Sequence, residues 1–114
     1  MSMRSYVATS RRRLVERATS QVDGLAEIFR ILADPTRLRI LVSLAEGGEL
    51  CVHEICERVP LSQPAVSHQL RTLRGARLVR SRRAGREVFY ALDDEHVMKL
   101  LSEGLHHAGH GGTP

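Results

Sequence analysis

Apolar residues recur three and four apart over most of this chain, and the breaks in that rhythm divide it into segments. Residues 1–10 lack the pattern and read as a loose arm. Arg11-Arg12-Arg13 opens a helical pattern through Leu14, Val15 and Ala18, and the next helix carries Val22, Leu25, Ile28, Phe29 and Leu32. Asp34 then suits an N-cap, with Pro35 at the first helical position, Leu38, Leu41 and Leu44 along the buried face, and Gly47-Gly48 as the stop. The run from Glu49 to Val59 reads as a short helix ended by Pro60. Ser62 caps another helix, with Pro64 tolerated in its first turn and Ala65, Val66, Leu70 and Leu73 facing inward. Two short helices across a tight turn form a helix-turn-helix pattern.

Looser alternation over Leu78–Arg83 and Arg86–Leu92, around Ala84-Gly85, predicts a hairpin tipped with Arg82, Arg83 and Arg86. Such a hairpin beside a helix-turn-helix is a wing. The last stretch places Val97, Leu100, Leu101 and Leu105 on one helical stripe, with Asp93 as the expected N-cap, and the tail from Gly109 is too glycine-rich to fold alone. The expected fold is mainly α (α+β): a winged helix-turn-helix of about five helices with a two-stranded wing, dimerised through its terminal helices. Its expected parts are a flexible arm (1–10), the folded domain (11–108) and a tail (109–114).

The length of 114 residues fits one domain with a small core, for which pairing with a second copy adds buried surface. A formal charge of +4 favours an anionic partner, with nucleic acid the usual one. The sequence holds no apolar run of membrane-spanning length and no apolar stretch behind its N-terminal arginines, so neither a membrane partner nor a secretory signal is expected. The two cysteines, Cys51 and Cys56, do not make a disulfide framework, and a reducing cytoplasm is the expected setting.

Candidate chemistry falls in two places. The second helix of the helix-turn-helix displays Gln63, Ser67, His68, Gln69 and Arg71 behind Ser62, side chains suited to base edges and phosphates, and wing arginines suit phosphates or a minor groove. The last helix has potential metal ligands at its two ends: Asp94 and His96 at the start, His107 and His110 at the finish. Eleven residues separate His96 from His107, about 16 Å along a helix, whereas zinc–nitrogen bonds are about 2 Å. The two ends therefore cannot share one ion within one chain. Antiparallel packing of two copies would create two symmetric sites, each taking Asp94 and His96 from one chain and His107 and His110 from the other. Asp94 and His96 converge only if Asp94 sits in a frayed first turn. On spacing alone a solvated polar tail remains an alternative.

Leu32-Ala33-Asp34-Pro35-Thr36-Arg37-Leu38-Arg39-Ile40-Leu41, Glu49-Leu50-Cys51-Val52 and Ser62-Gln63-Pro64-Ala65-Val66-Ser67-His68-Gln69-Leu70 resemble the ArsR/SmtB family of winged-helix metal-sensing repressors, over about Leu25 to His110. The C-terminal stretch is most similar to the zinc- and cobalt-responsive members, whose Asp-x-His, ten residues, His-x-x-His motif Asp94, His96, His107 and His110 match. The resemblance implies a homodimer that binds an inverted-repeat DNA operator and is released by metal. It also implies that the outer nitrogen of His107 bonds a backbone carbonyl near the end of the recognition helix, close to Arg77, coupling metal to DNA geometry. Some members instead bind arsenite or soft metals through a Cys-Val-Cys-x-x-Cys run. Here Cys51, His53 and Cys56 occupy those positions, with His53 in place of the middle thiol, giving a thiol-based sensor as the alternative. Imidazole and carboxylate donors favour tetrahedral zinc and accommodate cobalt; nickel wants more ligands, and His106 is the one spare. A small zinc enzyme is remote, because four protein ligands leave no open position and no motif sets a general base beside the metal.

Overall fold

The computed structural model describes the backbone of residues 3–111, and the side chains of residues 10–16 and 21–109. The elements are α1 (Met3–Leu32), α2 (Pro35–Gly47), β1 (Leu50–Cys51), α3 (Val52–Cys56), α4 (Gln63–Gly75), β2 (Val79–Ala84), β3 (Glu87–Leu92) and α5 (Glu95–Gly111). They form two compact units, residues 1–33 and 34–114.

The first unit is a single long helix. The sequence pattern led us to expect a loose arm followed by two helical stretches, but α1 already starts at Met3 and runs unbroken to Leu32. Gly24 is the weak point, and one glycine costs a helix only about 1 kcal/mol relative to alanine. The apolar spacing from Val15 through Val22 and Leu25 to Phe29 stays in phase across it, and all four side chains are exposed.

The second unit is a winged helix-turn-helix. In α2, Asp34 caps as expected: its Oδ1 accepts the Thr36 N–H at 3.0 Å, ahead of Pro35. Gly48, at φ 81°, ends it, its N–H donating to the Leu44 carbonyl. In α4, Ser62 Oγ accepts the Ala65 N–H at 3.3 Å. Ile40, Leu41 and Leu44 of α2, Ile55 of α3, Val66, Leu70 and Leu73 of α4 and Val79 of β2 form the core. Val97 and Leu101 of α5 are buried as well, while Leu100 and Leu105 on the same predicted stripe are exposed.

Four boundaries differ from the sequence pattern. Glu49–Val59 is not one helix: Leu50 and Cys51 form a strand, and only Val52–Cys56 is helical, so Cys51 and Cys56 do not share a helix. The wing consequently belongs to a three-stranded antiparallel sheet in the order β1-β3-β2, with Leu50 opposite Tyr90 and Cys51 opposite Phe89. Asp94, not Asp93, caps α5, because Val97 N–H donates to Asp94 Oδ1 at 3.1 Å while Asp93 N–H is used by the Leu78 carbonyl. Finally, α5 continues to Gly111, three residues into the expected tail.

The wing pairs Val79 with Leu92 through Ala84 with Glu87. Gly85, at φ 64°, opens its two-residue turn, a position that favours glycine. Arg77, at φ 59°, is the one non-glycine with a left-handed φ among the described residues, and it has a Cβ. It ends α4: Arg77 N–H donates to the Arg74 carbonyl and Leu78 N–H to the Leu73 carbonyl, while Leu78 and Leu73 are both buried. This is a Schellman turn with arginine where glycine is usual. Arg77→Gly is therefore expected to raise unfolding free energy by up to about 1 kcal/mol, relief of left-handed strain exceeding glycine's added chain entropy. Arg77→Val should lower it by about 1 kcal/mol. Urea denaturation of both variants checks the pair.

Candidate functional site

The candidate nucleic-acid face lies on α4 and the β2–β3 hairpin. Gln63, His68 and Arg71 project into solvent, and Ser67 and Gln69 are half-buried. Ser62 spends its acceptor on the helix cap and keeps its hydroxyl proton for another partner. Gln69 is held from behind: Arg37 Nε, 32 residues earlier on α2, donates to Gln69 Oε1 at 2.8 Å. Arg37 also lies 3.5 Å from Asp34 Oδ2, so the acid that caps α2 orients the arginine that orients α4. Since guanidinium can only donate, the Gln69 carbonyl oxygen must face Arg37, which fixes the orientation of the amide and spends one of the oxygen's two lone pairs. Arg37 entered the sequence analysis only as part of a motif; no local spacing could show its reach to Gln69.

On the wing, Arg83 and Arg86 are exposed beside the turn. Arg82 is also largely exposed but is engaged by Glu49: Arg82 Nε donates to Glu49 Oε2 at 3.1 Å and its Nη2 to Oε1 at 2.6 Å.

The candidate metal ligands lie at the two ends of α5. Asp94 sits in the half-formed first turn of α5, where Met98 N–H reaches its carbonyl at a long 3.4 Å. Its Oδ1 caps the helix while Oδ2 lies 3.5 Å from Nδ1 of His96, so the two residues do converge. His96 is 92% exposed. The Val97 N–H holds the Asp94 carboxyl below the usual carboxylate range; desolvation opposes this and His96 adds to it. The capping interaction is therefore complete at neutral pH and weakens as pH falls through that lowered value. His107 is exposed on the last turns of α5, and the side chain of His110 lies outside the described residues. Among the described residues, no three His, Cys, Asp or Glu side chains gather into a metal-binding group within one chain.

That holds equally for Cys51, His53 and Cys56. Cys51 is buried in β1, and burial is the main cause that pushes its thiol above the usual range. Its N–H donates to Glu54 Oε1 at 3.0 Å. His53 is exposed and pairs through Nε2 with Glu57 Oε1 at 3.0 Å, and Cys56 is half-buried at the end of α3. A protonated, buried thiol is a poor ligand and nucleophile, and Cys51 is placed as a small apolar residue.

These parts define a winged helix-turn-helix DNA-binding protein. Residues 34–81 match the family model described as bacterial regulatory protein, arsR family. The chain is 51% identical over 87 residues to the transcriptional repressor SmtB homolog of Synechocystis sp., covering 76% of this chain and 65% of that protein. It is 47% identical over 92 residues to the HTH-type transcriptional regulator KmtR of Mycobacterium tuberculosis, covering 81% of this chain and 70% of the relative. Among solved structures it is similar to the homodimeric winged helix-turn-helix DNA-binding domain of a possible ArsR-family regulator from Mycobacterium bovis, with a TM-score of 0.75, 30% identity, and coverage of 82% and 85% of the two chains. The chain belongs to the ArsR family of transcriptional regulators, which are not enzymes.

If Arg37 orders the recognition helix, Arg37→Leu should lower unfolding free energy by about 1–3 kcal/mol, the range for losing a charged hydrogen bond. It should also weaken DNA binding at temperatures where the variant remains folded. Urea denaturation and fluorescence anisotropy on labelled duplex measure the two effects.

Proposed function

We propose that this protein is a zinc-responsive transcriptional repressor that acts in the cytoplasm as a homodimer on an inverted-repeat operator. The observation that carries the reading is the pairing of Asp94 and His96 at the first turn of α5 while His107 stands about 16 Å further along the same helix. Each end supplies half a site. Asp94 and His96 of one protomer, with His107 and His110 of the partner subunit, complete a four-donor set.

The residues fit such an ion. Asp94 divides its carboxylate between two tasks, with Oδ1 on the helix and Oδ2 beside the imidazole of His96. Three imidazoles with one carboxylate form a donor set suited to tetrahedral zinc, and cobalt is accommodated on the same chemistry. A bound ion supplies positive charge and a cross-link between two α5 helices. Dimerisation is supported by apolar side chains left in solvent on the terminal helices: Val22, Leu25 and Phe29 on α1, and Leu100 and Leu105 on α5.

In the DNA-bound form, α4 of each protomer enters a major groove with Gln63, Ser67, His68 and Arg71 facing bases and phosphates, and Arg83 and Arg86 of each wing lie along the backbone. Gln69 meets the DNA with its amide orientation set by Arg37. His107 is the coupling residue: its outer nitrogen reaches backbone near Arg77, where α4 ends in a strained turn. Metal and DNA then weaken each other's binding by the same factor.

A DNA-binding titration of the purified protein against zinc, cobalt, nickel and arsenite tests this. Zinc should release the DNA and arsenite should not. His96→Asn and His107→Asn should each keep metal-free binding and lose release. Zinc-driven release that persists in both variants, or release by arsenite that requires Cys51 and Cys56, would reject the α5 site.

A further inference from the structure

The wing carries three arginines near its tip, and the structure treats one of them differently. We propose that Arg82 is a positioning residue that clamps the wing through Glu49, and that it is not one of the phosphate contacts. The proposal rests on the DNA-binding reading and refines its wing.

Glu49 lies between Gly48, which ends α2, and the two-residue strand β1. Arg82 is 33 residues away in the middle of β2, and Nε and Nη2 meet the two carboxylate oxygens of Glu49 one to one, fork against fork. The guanidinium carbon also lies 5.3 Å from the centroid of the Phe89 ring. Phe89 is the cross-strand partner of both Arg82 and Cys51, so a row runs Cys51–Phe89–Arg82 across all three strands. β1 pairs only with Phe89 and Tyr90 of β3; from Val88 to the turn the wing is a bare two-stranded hairpin. Isolated hairpins of this kind are marginal in water. The Glu49 clamp falls where the third strand runs out, so it fixes the direction in which Arg83 and Arg86 project.

Surface ion pairs usually contribute little to stability, and this pair is half-exposed, with side-chain exposures of 56% and 38%. Its effect is orientation, enforced by two parallel hydrogen bonds and a ring. Arg82 also lowers the Glu49 carboxyl below its usual range, chiefly through these bonds, so the pair is fully ionised at neutral pH. To a phosphate approaching the wing, an arginine already matched by a carboxylate presents no net charge. It displaces no counterion from DNA.

Counterion release makes this measurable on random-sequence duplex DNA, whose binding reports phosphate contacts without an operator. Each phosphate contact contributes about 0.9 to the slope of log affinity against log salt, hence about 1.8 for the same residue in both protomers of a dimer. The charge-neutral double variant Glu49→Gln/Arg82→Gln should bind more weakly at every salt concentration, because the wing is no longer clamped, while keeping the wild-type slope, because no phosphate contact is removed. The swapped variant Glu49→Arg/Arg82→Glu should recover most of the affinity that Arg82→Glu alone loses, because the clamp re-forms with its charges exchanged. A slope reduced by about 1.8 in the neutral double variant, or a swap no better than Arg82→Glu alone, would overturn the proposal. A wild-type protein with no salt-dependent binding would overturn the DNA-binding reading itself, and this proposal with it.

Discussion

The second unit turns on one residue, Leu78. Its N–H donates back to the Leu73 carbonyl and closes the end of α4, and its carbonyl accepts the N–H of Asp93 at the start of the last helix. Its side chain is buried against the core. Within one residue the chain stops the recognition helix, begins the first wing strand and anchors the segment that presents Asp94. A buried backbone group left unpaired costs about as much as a lost hydrogen bond, so this double use is hard to rearrange. Arg77 adopts its left-handed backbone for that reason: only a sharp reversal at that residue brings Leu78 over Leu73. The end of α4 and the start of α5 are therefore registered to each other through two hydrogen bonds of one residue.

A second constraint concerns where positive charge is available. The chain is basic, yet its arginines are not equivalent. Arg37 is turned inward to Gln69 and Asp34, and Arg82 is matched by Glu49, whereas Arg71, Arg83 and Arg86 face solvent. Counting cations on the recognition face overstates the electrostatic footprint. The inward arginines aim the outward ones, which suits a surface that must meet a rigid, regularly spaced polyanion.

The sequence made the punctuated elements legible because their signals are local. Asp34-Pro35, Ser62 and Gly85 each fix a boundary through their own backbone chemistry, and the core positions of α2 and α4 follow from helical spacing. What it concealed depended on distant partners. β1 is two residues long and exists only because β3 lies beside it, so Leu50-Cys51 reads as helix until Tyr90 and Phe89 are in place. The choice of Asp94 over Asp93 as cap was decided by Leu78, which takes the Asp93 N–H. The unbroken α1 was missed because its first turns lack the apolar rhythm that marks the rest of the helix. The candidate ligands were legible as a pattern, and the pairing of Asp94 with His96 that the pattern required is present. The Arg37–Gln69 and Glu49–Arg82 contacts had no signal at all, since each spans more than thirty residues.

Helix geometry gives the proposed regulator its logic. Donors at opposite ends of one straight helix cannot collapse onto an ion within a single protomer, so a site of this design is absent from the monomer by construction. Placing both halves on the same element makes two sites inevitable once two helices run antiparallel, and the spacing between them is set by helix rise. A metal held there ties two rigid helices together, and each is registered through Leu78 to its own recognition helix. The two DNA-reading helices must straddle one turn of the double helix, about 34–36 Å, and a small change in their separation is felt at every phosphate contact. In such an arrangement the ion need not approach the DNA or reshape the recognition helix; it acts on the distance and angle between two units that remain internally unchanged.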